Sequence, residues 1–246
     1  MALYGLIGYP LGHSFSKAFF TEKFEREHIN AEYLNFELPD IGDLMEVLSE
    51  YPQLRGFNVT IPYKQQVMAY LADIDPVAEA IGAVNVVKIA QTPSGPQLSG
   101  FNSDVVGFTE SLSPMLNPEA TRGLVLGNGG AAKAVVYGLR SLGIEPTIVS
   151  RTPAEGQLGY DQLTPEVMRS HTVIVNTTPL GMSPNVDGCP PIPYSLLTRD
   201  HVCFDLVYNP LETKFMRLSA EQGATVKNGL EMLHLQALKA WEIWDK

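Results

Sequence analysis

Two side chains in the first half of the chain are of the types that hold and pass a proton. Lys64 ends the stretch NVTIPYK, following Thr60 and Pro62, so its amine leaves a constrained segment; Asp104 closes GFNSD, after another strand. A solitary lysine is ordinarily a solvated charge and a solitary aspartate ordinarily a helix N-cap. Meeting in one cleft, the two would make a tuned proton donor beside a carbonyl. In the second half, LVLGNGGAAKA sets Gly127, Gly129 and Gly130 between an apolar strand and an Ala-rich helix. There glycine allows a tight turn and lets backbone N–H groups approach a pyrophosphate. An ordinary strand-to-helix turn would read the same way, and the flanking strand and helix favour the nucleotide. The next strand ends in VSR, with Arg151 and Thr152 where an NAD site carries an acid. A guanidinium at that place suits a ribose 2′-phosphate, which selects NADP over NAD. NTTPLGM, Asn176 to Met182, supplies a further strand-end loop, whose polar residues could equally be turn formers. The five histidines have no metal-ligand spacing, and Cys189 and Cys203 stand alone, so neither a metal site nor a disulfide framework is expected.

The elements that would position these groups follow from periodicity. YGLIGYP reads as a strand, SKAFFTEKFEREH as a helix, AEYLNFEL as a strand, DLMEVLSEY as a helix and LRGFNVTI as a strand. IGAVNVVKIA and QLSGFNSD flank the turn-rich TPSGP as a β-hairpin, which feeds a helix from about Val105. After SLSPMLNPEATR the alternation resumes with TRGLVLG, AAKAVVYGLRSLG, EPTIVSR, HTVIVNTTP and HVCFDLVY, and it ends in the helical GLEMLHLQALKAWEIW. Such alternation predicts an α/β protein: an α/β unit over 1–104 plus 230–246, and a Rossmann-like unit with a parallel sheet over 105–229.

At 246 residues and 45% hydrophobic content, the chain can bury a sizeable core. Its net charge of −10 argues against nucleic acid or an anionic membrane as a general partner, while leaving room for an anion in a local pocket. MALYGLIGYP lacks the basic start and long apolar run of a signal peptide, and no apolar stretch has membrane length, so a cytoplasmic protein is expected. The sequence does not separate a monomer from a homodimer.

Taken in order, GYPLGHSFS, NVTIPYK, GAVN, GFNSD, GNGGAA, SRT, NTTPLGM, DLVYNP and GLEMLHLQA resemble the motif series of the shikimate dehydrogenase family from end to end. The resemblance implies reversible reduction of 3-dehydroshikimate to shikimate by NADPH, a step of aromatic amino acid (chorismate) biosynthesis. It implies Lys64 and Asp104 as the catalytic pair. Ser14 and Ser16 would bind the substrate carboxylate, Thr60, Asn85, Asp104 and Gln236 would bond its ring oxygens, and Tyr208 would lie beside it. The matching cofactor motifs imply contacts from Gly127, Asn128, Gly129, Gly130, Ala131, Ser150, Arg151, Thr152, Asn176, Thr177, Leu206 and Gly229. The chain departs from the family pattern at Lys17, Asn128, Ser150 and Glu155. A quinate/shikimate dehydrogenase using NAD or NADP, and a non-catalytic ligand sensor, are the rival readings.

Overall fold

The computed structural model describes residues 1–12, 15–93 and 95–246. The chain folds into two compact units, Met1–Ser103 with Ala237–Lys246, and Asp104–Gln236. The expected seam at 229/230 is the start of the last helix, whereas the observed one lies inside it. The reason is packing: Met232 joins the core of the second unit, while Ala237, Ala240 and Trp244 join that of the first.

In the first unit the order is β1 (Ala2–Gly8), α1 (Phe15–Arg26), β2 (Ala31–Glu37), α2 (Leu44–Glu50), β3 (Leu54–Val59), β4 (Asp73–Ile74), α3 (Pro76–Ile81), β5 (Val86–Thr92) and β6 (Gly95–Phe101). Among the described residues these strands form one sheet in the order β2-β1-β3-β5-β6-β4. β1 runs parallel to β2 and β3, whereas β5 is antiparallel to both β3 and β6, so the sheet is mixed. The expected hairpin is β5 and β6. Strand alternation divides the apolar residues: Leu3 and Ile7 of β1 face the cluster containing Leu44, Leu54 and Phe57, and Tyr4 and Leu6 face an aromatic cluster with Phe20, Phe24, Tyr33 and Trp244. Gly56 makes room for the indole, because a Cβ there would lie 2.4 Å from Trp244 Nε1, which donates to the Val87 carbonyl at 3.0 Å.

The second unit contains α4 (Asp104–Leu112), β7 (Arg122–Leu126), α5 (Gly130–Ser141), β8 (Glu145–Val149), α6 (Pro165–Ser170), β9 (Val173–Asn176), β10 (Val202–Asp205), α7 (Lys214–Ala220), β11 (Thr225–Lys227) and the start of α8 (Leu230–Asp245). Among the described residues its strands lie in the order β11-β10-β9-β7-β8, all parallel. Both faces are covered, which is why these strands read as continuous apolar runs. Val125, Val173, Val175 and Phe204 meet Phe108, Ala132 and Leu139 on one side; Leu124, Leu126, Ile174 and Cys203 meet Met168 and Phe215 on the other. From β7 the chain moves outward to β8 and then returns past β7 to β9, so the strand order reverses there. In open parallel sheets ligands gather at the carboxyl ends of strands flanking such a reversal.

Candidate functional site

Strand register carries the second unit's site. Val149 pairs with Leu126, Leu126 with Asn176, and Asn176 with Asp205, so the four strand ends lie in one row. The residues that follow each end are Ser150, Gly127, Thr177 and Leu206, all named in the cofactor set. Gly127 sits at φ 105°, and a Cβ on it would come within 2.9 Å of Thr177 Oγ1 and Thr178 Cγ2, so both backbone and space demand glycine. Thr177 closes the turn from the other side, its N–H and hydroxyl both donating to the Leu126 carbonyl at 2.9 and 2.7 Å. At Gly129 and Gly130 a Cβ would meet nothing within 4 Å. Packing therefore does not require glycine at those two positions; close approach of another molecule to the backbone would. Gly129 caps the 12-residue α5 without a side chain, and the first turn of that helix has no acidic residue. Free N–H groups and the helix dipole there favour an anion.

A cavity of about 720 Å³ opens over this row. Gly127, Asn128, Gly129, Ser150, Arg151, Thr152 and Thr177 line it, joined by Tyr160, Thr178, Pro179, Leu180, Cys189 and Pro191. The lining has a guanidinium, hydroxyls and apolar surface but no carboxylate, a donor set that fits a nucleotide bearing an extra phosphate. Ser150 holds the loop that carries Arg151, accepting from Thr152 N–H and donating to its carbonyl, both at 3.2 Å. Burial raises the Tyr160 phenol above its ordinary value, while the nearby Arg151 charge acts in the opposite sense. Sequence reasoning missed Tyr160, from the connection between β8 and β9, and Cys189 and Pro191, from that between β9 and β10. Gly130 and Ala131 begin α5 outside the lining.

Three of the named residues sit differently. The Asn176 side chain is fully buried: its Nδ2 donates to Asp205 Oδ1 at 2.9 Å, and its Oδ1 accepts from the N–H and hydroxyl of Thr178 at 3.0 and 2.7 Å. Leu206 and Gly229 form a backbone contact, since a Cβ on Gly229 would lie 2.2 Å from the Leu206 carbonyl oxygen. That contact seats the start of α8, where Asn228 Oδ1 accepts from Leu230 N–H at 3.1 Å.

In the first unit, Lys64 lies in a turn beyond β3 rather than on the strand, and that turn is anchored: Val84 N–H donates to the Lys64 carbonyl at 2.7 Å, and Tyr63 N–H to the Thr60 carbonyl at 2.9 Å. Thr60 is fixed by its own N–H bond to the Ile7 carbonyl at 2.9 Å. Gly82 ends α3 at φ 68° and turns the chain into β5, bringing Asn85 beside β3. The Asn85 side chain is buried; its Oδ1 accepts from Ser103 N–H at 2.7 Å and its Nδ2 donates to Ser103 Oγ at 3.0 Å. Ser16 reaches the Tyr33 hydroxyl, which donates to Asn58 Oδ1 at 2.8 Å, and Asn58 Nδ2 donates to the Asn85 carbonyl at 3.3 Å. Burial drives the Tyr33 phenol well above its usual range, with the Ser16 bond opposing, so this chain of bonds stays neutral. Tyr33 and Asn58 are thus supports that sequence reasoning missed, although an amide inside the apolar GFNV was the available signal. Ser14 lies outside the described residues. On the second unit, Asp104 opens α4, Tyr208 is exposed, and the nearly buried Gln236 donates to the Leu233 carbonyl at 3.0 Å.

A parallel sheet with a glycine turn, a carboxylate-free cavity and a strand-end arginine defines a dinucleotide-binding protein of the α/β oxidoreductase class. The family model described as the shikimate dehydrogenase substrate binding domain matches residues 6–87. The NADP(+) shikimate dehydrogenase of Halothermothrix orenii is 37% identical, covering 98% of this chain and 89% of the relative, and that of Methanococcus aeolicus is 36% identical, covering 98% and 91%. The crystal structure of shikimate 5-dehydrogenase from Thermus thermophilus with NADP(H) and shikimate matches with a TM-score of 0.85 at 32% identity, over 99% of this chain and 93% of that one. Quinate dehydrogenase from Corynebacterium glutamicum in complex with NAD matches with a TM-score of 0.86 at 26% identity, over 99% and 93%. The chain belongs to the shikimate dehydrogenase family.

Proposed function

We propose that this protein catalyses the reversible, NADPH-dependent reduction of 3-dehydroshikimate to shikimate, with the cofactor held by the unit of Asp104–Gln236. The observation that carries the cofactor half is the row of strand ends leading into Gly127, Arg151 and Thr177 around a cavity without carboxylates. When bound, NADPH supplies the hydride that converts the carbonyl carbon to a carbinol. The chain's task is the accompanying proton. Lys64 donates it to the carbonyl oxygen as negative charge develops there, with Asp104 as the second member of the catalytic pair. In the reverse direction the neutral amine takes the hydroxyl proton. Ser14 and Ser16 anchor the carboxylate, and Thr60, Asn85, Gln236 and Tyr208 fix the ring. Neutral donors suffice, because hydrogen bonds to a carboxylate are strengthened by its charge.

Among the described residues no helix is long and apolar enough to cross a membrane. We read the enzyme as cytoplasmic, a monomer or homodimer, with no nucleic-acid partner given its net charge of −10. The test is an absorbance assay with 3-dehydroshikimate and either NADPH or NADH, repeated in the oxidative direction with shikimate and quinate. NADPH consumption with dehydroshikimate is the expected result. Preference for quinate and NAD would make this a quinate dehydrogenase, and no turnover at substrate saturation would make it a sensor.

A further inference from the structure

The buried carboxylate of Asp205 is not spent on the chemistry above. It lies at the end of β10 and is fully inaccessible. Its Oδ1 accepts from Asn176 Nδ2 at 2.9 Å and from Val207 N–H at 3.0 Å, and its Oδ2 accepts from Thr213 Oγ1 at 2.6 Å. A buried carboxylate with three donors is fully engaged, yet burial of its charge is unfavourable. Its distinctive property is that, ionised, it can only accept. A carboxamide has two nearly isosteric ends, and the one facing Asp205 must therefore be the NH₂ of Asn176. That leaves Asn176 Oδ1 aimed at Thr178, where it takes both the N–H and the hydroxyl. Thr178 in turn accepts from Leu180 N–H at 3.3 Å, and Thr177, Thr178, Pro179 and Leu180 form one wall of the nucleotide cavity. Thr178 also touches the place a Cβ on Gly127 would occupy.

We infer that Asp205 is a positioning residue for the cofactor: it fixes the sense of the Asn176 amide, and through it the wall formed by residues 177–180 against the glycine turn. This rests on the functional reading above. Two of the three Asp205 bonds, to Val207 N–H and Thr213, would serve a merely structural carboxylate equally well, so the Asn176 branch is the one to isolate.

The experiment is a double-mutant cycle on the full chain, reading the NADPH dissociation constant by fluorescence titration together with steady-state kinetics and thermal melts. Asp205→Leu removes the acceptor that holds Asn176 Nδ2, and Asn176→Ala removes the relay. Each should weaken NADPH binding about tenfold, the size expected for a misdirected buried hydrogen-bond pair. The KM for NADPH should rise while kcat and the KM for shikimate stay within about twofold. Because both variants cut the same connection, the double variant should bind about as the singles do instead of about a hundredfold more weakly. Thr213→Val, which removes the other bond and the α7 cap, should lower the melting temperature yet leave NADPH affinity within about twofold. If Asp205→Leu fails to fold, Asn176→Ala and Thr213→Val still separate relay from scaffold. Unchanged affinity in the foldable relay variants, multiplying effects, or an affinity loss that simply tracks melting temperature across all three would overturn the inference. A wild-type chain that binds no NADPH would instead overturn the functional reading.

Discussion

At the scale of single residues, the two charges that define the chemistry make separable claims. Lys64→Ala should lower kcat by about 10²–10⁴, the range a positioned proton donor contributes, with the KM for NADPH nearly unchanged. Its backbone is held through its carbonyl by Val84, a bond that alanine keeps, so the melting temperature should not fall. A variant with wild-type turnover would remove Lys64 from the reaction. Arg151→Ala should raise the KM for NADPH about tenfold while leaving that for NADH within about twofold, because only NADPH carries the phosphate a guanidinium grips. Equal effects on both nucleotides would reject the clamp. Arg151 was legible because one strand–helix–strand step after a glycine turn fixes its place in the fold. Asn176 was legible as a residue but not as a role. Its partner Asp205 lies 29 positions away, and no local pattern indicates that the amide turns inward to meet it.

At the scale of elements, the second unit's strands were readable as strands because burial on both faces leaves unbroken apolar runs, and glycine and proline mark their ends. Register was not readable, and register is what aligns Val149, Leu126, Asn176 and Asp205. Nor could periodicity reveal that β5 runs antiparallel to β3 in the first sheet. The row of strand ends has a thermodynamic consequence at β10. Burial raises the Asp205 carboxyl from 3.8 to about 6, and the hydrogen bonds from Thr213, Val207 and Asn176 act against that shift. A carboxyl whose folded value is raised binds its proton more tightly in the native state, so its contribution is fully present below about pH 4. It is lost as pH rises through about 6, a decline of about 3 kcal/mol. Tyr194 and Cys203, the neighbouring titratable groups, are pushed upward, Cys203 to about 12, and stay neutral across this window. Glu231 and Glu27 are shifted down by Lys227 and Lys23, and pull stability the other way. The decisive quantity is therefore the difference between wild type and Asp205→Asn in urea melts from pH 4 to 7. Relative to wild type, the variant should gain stability with rising pH; a pH-independent difference would mean that the carboxyl titrates at its ordinary value.

At the scale of the whole molecule, alternating strand and helix signals made the α/β class evident, whereas the polar stretch near 111–122 lies inside the second unit. The path of the last helix is where local reading ends, since GLEMLHLQALKAWEIW is amphipathic along its length and does not announce which core each turn enters. In the fold, Met232 belongs to one core and Ala237, Ala240 and Trp244 to the other. The nucleotide cavity, by contrast, is lined only by residues between 127 and 191. The two halves of the function should therefore respond differently to damage at the end of the chain. Trp244 stacks on Tyr4 with ring centroids 4.9 Å apart, packs against Phe20 at 5.2 Å and bonds the Val87 carbonyl. Trp244→Ala should remove about 3–5 kcal/mol from the stability of that core, the range for emptying a buried aromatic site. Followed by circular dichroism in denaturant, the loss should appear as an earlier transition, with dehydroshikimate turnover falling as that transition is crossed. NADPH titrated at denaturant concentrations between the two transitions should still bind within about twofold of its affinity for wild type. Simultaneous loss of the binding signal and of the first core would show that the cofactor unit cannot hold its ligand alone.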